Sequence, residues 1–283
     1  MSAFEDTTVA PLSCPLAVDR VVYVYAFVEQ GPPGSLRAPP DTEQALSLHH
    51  VGGISAVICH VPKSEYCSPK SEQDLTEPAW LMPRIRHHET VVERVMAWSA
   101  VFPMRFATLF VTLDSLTNFM RRHETAIAAF LRQVRRQEEW ALRITVTFDD
   151  LTVLDDLANQ LWPEWSGYSP GLRYLRLRQK RPCLVKAARE RAEMLMPAIL
   201  AGLGPPAGMI RHLPRPMATC DPEHRRVDNY ALLVPVAQRA ALTNRLSDLA
   251  ATWGPKHIGF ELSGPWPPYS FRPSLPARDA AAT

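Results

Sequence analysis

The sequence predicts a mixed α+β protein of two domains, the C-terminal one ferredoxin-like (βαββαβ) and the N-terminal one a less regular mixture of strands and helices. Three observations carry that prediction. Residues 20–28, RVVYVYAFV, are almost continuously β-branched or aromatic, as a central strand buried on both faces should be. The second half runs strand, helix, strand, strand, helix, strand, which is the split βαβ order. A chain of 283 residues also exceeds the ~100–200 of one usual domain. The expected divisions are a flexible leader over 1–18, an N-terminal α+β domain over 19–140, the ferredoxin-like domain over 141–263 and a Pro/aromatic tail over 264–283.

After the first strand, residues 31–40 carry four prolines and two glycines and read as a loop. Residues 46–60 read as two short strands around Gly52-Gly53, a hairpin signal. Residues 62–83 are polar and proline-punctuated, with one short helix near 72–80. The stretch 84–110, RIRHHETVVERVMAWSAVFPMRFATLF, organises the first half. It predicts an amphipathic helix that ends at Pro103 and feeds a short apolar strand. Ile85, His88, Val91, Val92, Val95, Trp98 and Phe102 recur at helical spacing and should share one buried face. A second amphipathic helix follows, with Asp114 as its cap and Leu116, Met120, Ile127, Leu131 and Val134 as its stripe.

In the second half, Leu142, Ile144, Val146 and Phe148 alternate with polar neighbours as a half-buried strand does. Helix is expected over 151–161, then again from Pro182, with Val185, Ala188, Ala192, Leu195 and Ile199 inward. Residues 207–213 and 230–236 read as strands, 240–253 as helix, and Ile258, Phe260 and Leu262 as the inward face of a last strand. No sequence repeat joins the two halves.

Composition excludes several functions. A 46% hydrophobic and 21% charged chain can fill real cores, and a net charge of +2 gives no global attraction to nucleic acid or anionic membranes. No apolar run approaches the ~20 residues that span a bilayer, so no membrane insertion is expected. The start, MSAFEDTTVAPLSCP, does not look like a secretory signal, and a cytoplasmic location follows as the expectation. Five cysteines, Cys14, Cys59, Cys67, Cys183 and Cys220, form no CxxC pair, so neither zinc nor a disulfide framework is expected. No phosphate-cradling glycine loop, nucleophile elbow or dinucleotide fingerprint is present. No cofactor, metal or catalytic group is assigned.

Adjacent His87-His88 point apart on a helix, so His88 reads as a packed, hydrogen-bonded histidine. His49-His50 face opposite sides of a strand. Asp149-Asp150 and Asp155-Asp156 stand where acids cap a helix. The basic run 173–181, placed in a connection, suggests a protein-docking surface more than a nucleic-acid one. Arg105 lies within an apolar segment, where a buried guanidinium needs carboxylate or carbonyl partners. A salt bridge fixing helix to sheet is the preferred reading, ahead of an anion or partner contact. Trp140 is expected to fill the seam between the halves.

Two segments point to a family. The pattern His88-Glu-Thr-Val91, then Phe102-Pro103-Met-Arg105-Phe106-Ala-Thr108-Leu-Phe110, then Glu139-Trp140, resembles the gas vesicle protein F/L (GvpF/GvpL) family. Gly264-Pro-Trp-Pro-Pro-Tyr-Ser-Phe271 resembles that family's terminal signature. The resemblance implies an accessory or minor structural role in gas vesicle assembly, without catalysis. It also implies contact with the hydrophobic shell-forming protein and with other accessory proteins. Structural or partner-contact candidates are His88, Arg105, Phe106, Trp140, Trp266, Tyr269 and Phe271. One departure is Ala107, where the family usually has glycine: it strains the turn if φ is positive there and is tolerable otherwise. The alternative is a ferredoxin-like ligand-sensing protein or enzyme acting on a small anion near Arg105 and His88, which a pocket lined by both would favour. The prolines of 264–271 forbid helix and a central sheet position, and its aromatics predict a segment folded back near the junction of the halves. Residues 273–283 should be mobile.

Overall fold

Two antiparallel sheets are stacked with helices in a computed structural model that describes residues 20–29, 46–66, 77–148, 150–204, 208–214 and 225–276. The expected leader, the proline-rich loop, Cys14, Cys67, Cys220 and Asp149 lie outside those residues. The first sheet runs β2 (Ser47–Val51), β3 (Ile54–Pro62), β1 (Arg20–Glu29), β4 (Val101–Pro103), with the two-residue β5 (Leu109–Phe110) also pairing β1. Residues 21–28 of β1 are all buried, as their composition demands. Side chains alternate between two cores until a register shift between Val24 and Ala26, which sends both Tyr25 and Ala26 to the same side.

A helical turn, α1 (Lys63–Tyr66), precedes helix α2 (Pro78–Met96), which covers one face with Val91, Val92 and Val95. Helix α2 therefore starts earlier and ends sooner than its periodicity predicts. Phe102 is not on it: it sits in β4, pairs with Phe27, and faces the opposite core. The following Pro103 disfavours helical geometry at Phe102, and that signal outweighs an accidental i+4 spacing. Helix α3 (Leu113–Val134) covers the other face. Its cap is Thr112 rather than Asp114, because Thr112 and Ser115 bond each other's backbone amides reciprocally.

The second sheet has the order β7 (Met209–Leu213), β8 (Arg225–Pro235), β6 (Gln137–Thr147), β9 (Ile258–Trp266), all neighbours antiparallel. On one face lie α4 (Leu151–Leu161), α5 (Pro170–Leu203) and α6 (Arg239–Trp253), around Leu142, Ile144, Leu184, Ile199, Leu232 and Leu242. Both expected boundaries fall inside strands, at 140 in β6 and at 264 in β9. Asp150 caps α4, while Asp155 accepts from the Trp165 indole and pairs with Arg173. Helix α5 differs most from expectation. Pro170 opens it, Pro182 is interior, and the basic run 173–181 is helical rather than a connection. Residues 178–183 are exposed, so the carbonyl that Pro182 leaves without a donor can meet water.

The other face of the second sheet presents Ala231 and Leu233 to the α3 side, where they join one cluster with Val22, Phe27, Leu116 and Ile127. Helix α3 is thus enclosed by both sheets. The Gly52-Gly53 turn forms as the hairpin signal predicts, and the Gly53 amide donates to Glu124 of α3 at 3.0 Å.

Between β4 and β5, residues 104–108 are pinned by a buried hydrogen-bond chain. His88 Nε2 lies 3.1 Å from the Met104 carbonyl, an acceptor only, so Nε2 carries the proton. His88 Nδ1 is then an acceptor and takes the Tyr23 hydroxyl proton at 2.9 Å. The Tyr23 oxygen in turn accepts from the Ala107 amide at 3.0 Å. Burial holds the His88 pKa down to about 4 and pushes that of Tyr23 up. Ala107 has φ of 59°, so the strained alternative applies at the position where the family resemblance expects glycine.

Two predictions follow from this loop. Ala107→Gly should raise stability by about 0.5–1 kcal/mol, a gain of a few degrees in Tm, because relief of the left-handed penalty outweighs the extra unfolded-state entropy of glycine. A thermal melt with Tm unchanged or lowered would contradict the strain. For His88 the folded pKa lies below the unfolded 6.5, so its contribution is complete above pH 6.5 and is lost as pH falls towards 4. Urea titrations at pH 7 and pH 4.5 should show the parent losing about 2 kcal/mol more than His88→Gln over that interval. Equal losses would show that His88 is already protonated in the fold.

Candidate functional site

The tail shapes a hollow at the surface between the two sheets. After β9, Tyr269 donates its hydroxyl to Glu89 of α2 at 3.0 Å. Ser270 donates both its amide (3.0 Å) and its hydroxyl (2.6 Å) to the Glu139 carboxylate of β6. Phe271 is 6% exposed and enters the cluster shared by the two sheets. Leu275 packs against the same cluster, so the ordered path continues past Arg272 to Pro276. Residues 273–276, expected to be mobile, instead follow this packed path, and 277–283 lie outside the described residues. Burial raises the pKa of Glu139, Glu89 and Tyr269, with the Ser270 bonds opposing the shift at Glu139 and the Tyr269 bond opposing it at Glu89.

Beneath this fold-back is a cavity of about 680 Å³. The 104–110 loop, the first turns of α3, β7 and the tail each contribute a wall. Arg105, Arg122, Arg211 and Arg272 all line it, and among the described residues no aspartate or glutamate does. Arg211 donates to the Ser270 carbonyl and lies 5.5 Å from the Phe271 ring centre. Arg272 donates to the Pro103 carbonyl at 3.4 Å, and its pKa is pushed down by burial and then by the Arg105 charge. Apolar wall comes from Leu109, Phe110, Phe119 and Leu275.

The sequence-predicted residues divide around this hollow. Arg105 is exposed on the cavity wall, with no ion-pair partner among the described residues, so the expected buried salt bridge is not formed. The apolar neighbours that suggested burial belong to β4 and β5; Arg105 itself sits in the open connection between them. Tyr269 lines the cavity and Phe271 is buried beside it. His88 is 1% exposed and does not line it. Phe106 is half-buried, edge-on to Tyr23 and His88 at 6.4 and 6.1 Å. Trp140 is not in the seam. Side chains alternate along β6, so Glu139 takes the seam while Trp140 packs against the second sheet's other core, its indole donating to Glu138. Trp266 is 44% exposed and is not among the side chains by which the tail packs back onto the body.

Sequence reasoning missed Arg122, Arg211 and Arg272, which come from three segments with no common motif. Glu139 was readable from strand alternation. Among the described residues no group of three or more His, Cys, Asp or Glu could hold a metal, and no helix is long and apolar enough to cross a membrane.

Comparison with known proteins agrees with the terminal and central segments. The family model described as gas vesicle synthesis protein GvpL/GvpF matches residues 21–273. Gas vesicle protein L2 of Halobacterium salinarum is 26% identical over 272 residues, covering 89% of this chain and 91% of that protein. The crystal structure of GvpF from Anabaena sp. PCC7120 superposes with a TM-score of 0.64 at 14% identity, covering 90% of this chain and 97% of that one. GvpF from Microcystis aeruginosa gives 0.60 at 18% identity, covering 90% and 99%. The mixed α+β fold with two antiparallel sheets is thus shared with solved GvpF structures. On the match from residue 21 to residue 273, this chain belongs to the gas vesicle synthesis protein GvpL/GvpF family.

Proposed function

We propose that this chain is an accessory or minor structural protein of gas vesicle assembly. It binds the hydrophobic shell-forming gas vesicle protein and other accessory proteins, in the cytoplasm or at the vesicle, and performs no catalysis. The observation that carries the reading is family membership across nearly the whole chain. The physical need is clear: a shell subunit with one very apolar face aggregates before incorporation unless a partner covers that face or seeds its ordered stacking. In keeping with a non-catalytic role, both ring nitrogens of buried His88 are occupied by structural hydrogen bonds.

In this proposal the chain has two domains, and the second is ferredoxin-like. Support comes from the strand order β7-β8-β6-β9, with helices between β6 and β7 and between β8 and β9. The first sheet, in the order β2-β3-β1-β4, places its strands in the same succession.

One observation favours the second reading, a small-anion sensor or enzyme: a cavity does exist beside Arg105. His88, its supposed partner, is turned away into the core. The assembly reading is tested by co-purification of the affinity-tagged protein from vesicle-forming cells. Recovery of the shell protein above an untagged control is expected. Recovery of neither the shell protein nor any accessory protein would contradict it.

A further inference from the structure

The arginine-lined cavity is unexplained by the fold. Packing requires Phe271 to be buried and Leu275 to be partly buried there, but it does not require four guanidiniums around one hollow. The whole chain has a net charge of only +2, so this is a local concentration and not a share of a basic surface. On its margin the Glu139 carboxylate is held by Ser270 and attracts Arg211, while among the described residues no aspartate or glutamate lines the cavity itself. Arg105 and Arg272 repel each other across it. Arg105, Arg122 and Arg211 are exposed, so water screens much of this repulsion, and an anion entering the hollow would be attracted by all the positive groups that line it.

The ligand's chemistry can be narrowed. A guanidinium presents a planar fork of donors that matches carboxylate or phosphate oxygens in pairs. One carboxylate neutralises one arginine, whereas a terminal phosphate carries about −1.5 to −2 and offers oxygens in several directions. Arginines arriving from a loop, a helix, a strand and the tail therefore suit linked phosphates better than a single carboxylate. The charge is also gathered in one hollow and not strung along a groove, which favours a compact ligand over an extended acidic peptide. A volume of about 680 Å³ is in the range of small-molecule sites, and Leu109, Phe110, Phe119 and Leu275 give one wall an apolar surface.

We propose that this cavity is a binding site for a pyrophosphate group, either free or at the end of a nucleoside diphosphate. Arg105 and Arg272 hold the phosphates, with Arg211 and Arg122 completing the positive lining, and an organic body rests on the apolar wall. The site closes only when the tail is folded back, so bound pyrophosphate also fastens residues 269–275 across the two sheets. This is separate from shell-protein binding and can fail or hold without it.

The test uses the purified full chain alone. Thermal melts are recorded with increasing sodium pyrophosphate or ADP, and with sodium sulfate at matched ionic strength. A ligand that binds only the folded state raises Tm with concentration. Pyrophosphate should do so well beyond sulfate, Arg105→Gln should weaken the apparent affinity about tenfold or more, and Arg105→Lys should lie between. Arg105 has no ion-pair partner among the described residues and repels Arg272, so without ligand Arg105→Gln should melt at or slightly above the parent, and its response is read as the Tm shift on adding ligand. ADP binding more tightly than pyrophosphate assigns the apolar wall to an organic body, and equal binding assigns the site to the free anion; both support the proposal. It is overturned if pyrophosphate and ADP raise Tm no more than sulfate does. The same holds if Arg105→Gln responds like the parent, or if an oligoglutamate peptide binds where pyrophosphate does not.

Discussion

The structure depends on one constraint: helix α3 must be buried on more than one side. Leu116, Met120, Ile127 and Leu131 are essentially inaccessible, and Phe130 and Val134 nearly so. A single sheet can cover one stripe of a helix. Here the first sheet supplies Val22, Val24, Phe27 and Phe102, while the second supplies Ala231 and Leu233. Burying a large aliphatic or aromatic side chain is worth about 1.5–3 kcal/mol, so a core shared by both sheets outweighs the surface ion pairs that also link distant segments, such as Arg135 with Glu29.

The tail completes that core. Phe271 enters the same cluster, and its position is set by polar contacts on either side: Ser270 on Glu139 and Tyr269 on Glu89. Glu139 is 6% exposed, and its burial is tolerable because the Ser270 amide and hydroxyl serve its oxygens. The fold-back thereby ties α2 and the first sheet to β6 of the second. It also brings Arg272 to the 104–110 loop, whose shape is fixed from below by the Tyr23–His88–Ala107 chain.

Sequence patterns were legible where one segment's periodicity decides its environment. The apolar β1 run, the α3 stripe, the alternation of β6 and β9 and the glycine hairpin all led to the observed elements. The aromatic tail folding back over the body also followed from local composition. Failures arose where a residue's role depends on chain that is distant in sequence. Arg105 looks buried beside Pro103 and Phe106, yet it occupies an open connection. Trp140 and Trp266 are large enough to be anchors, but strand register turns one to another core and leaves the other exposed. Pro182 looked like a helix start, and only Pro170 upstream and the solvent-facing side of α5 show why helix continues through it. The arginines of the cavity come from a loop, a helix, a strand and the tail. No window of sequence contains that constellation.

The central claim is that one core, closed by Phe271, couples the two sheets. Hydrogen exchange of Phe271→Ala, read against the parent, tests it most directly. Truncating a fully packed phenylalanine typically costs about 3–5 kcal/mol. If the core is shared, slowly exchanging amides of β1 and β3 and those of β6 and β8 should lose protection together and by similar factors. Loss confined to the tail, or to one sheet while the other keeps parental protection, would show that the sheets are stabilised independently and would contradict the account.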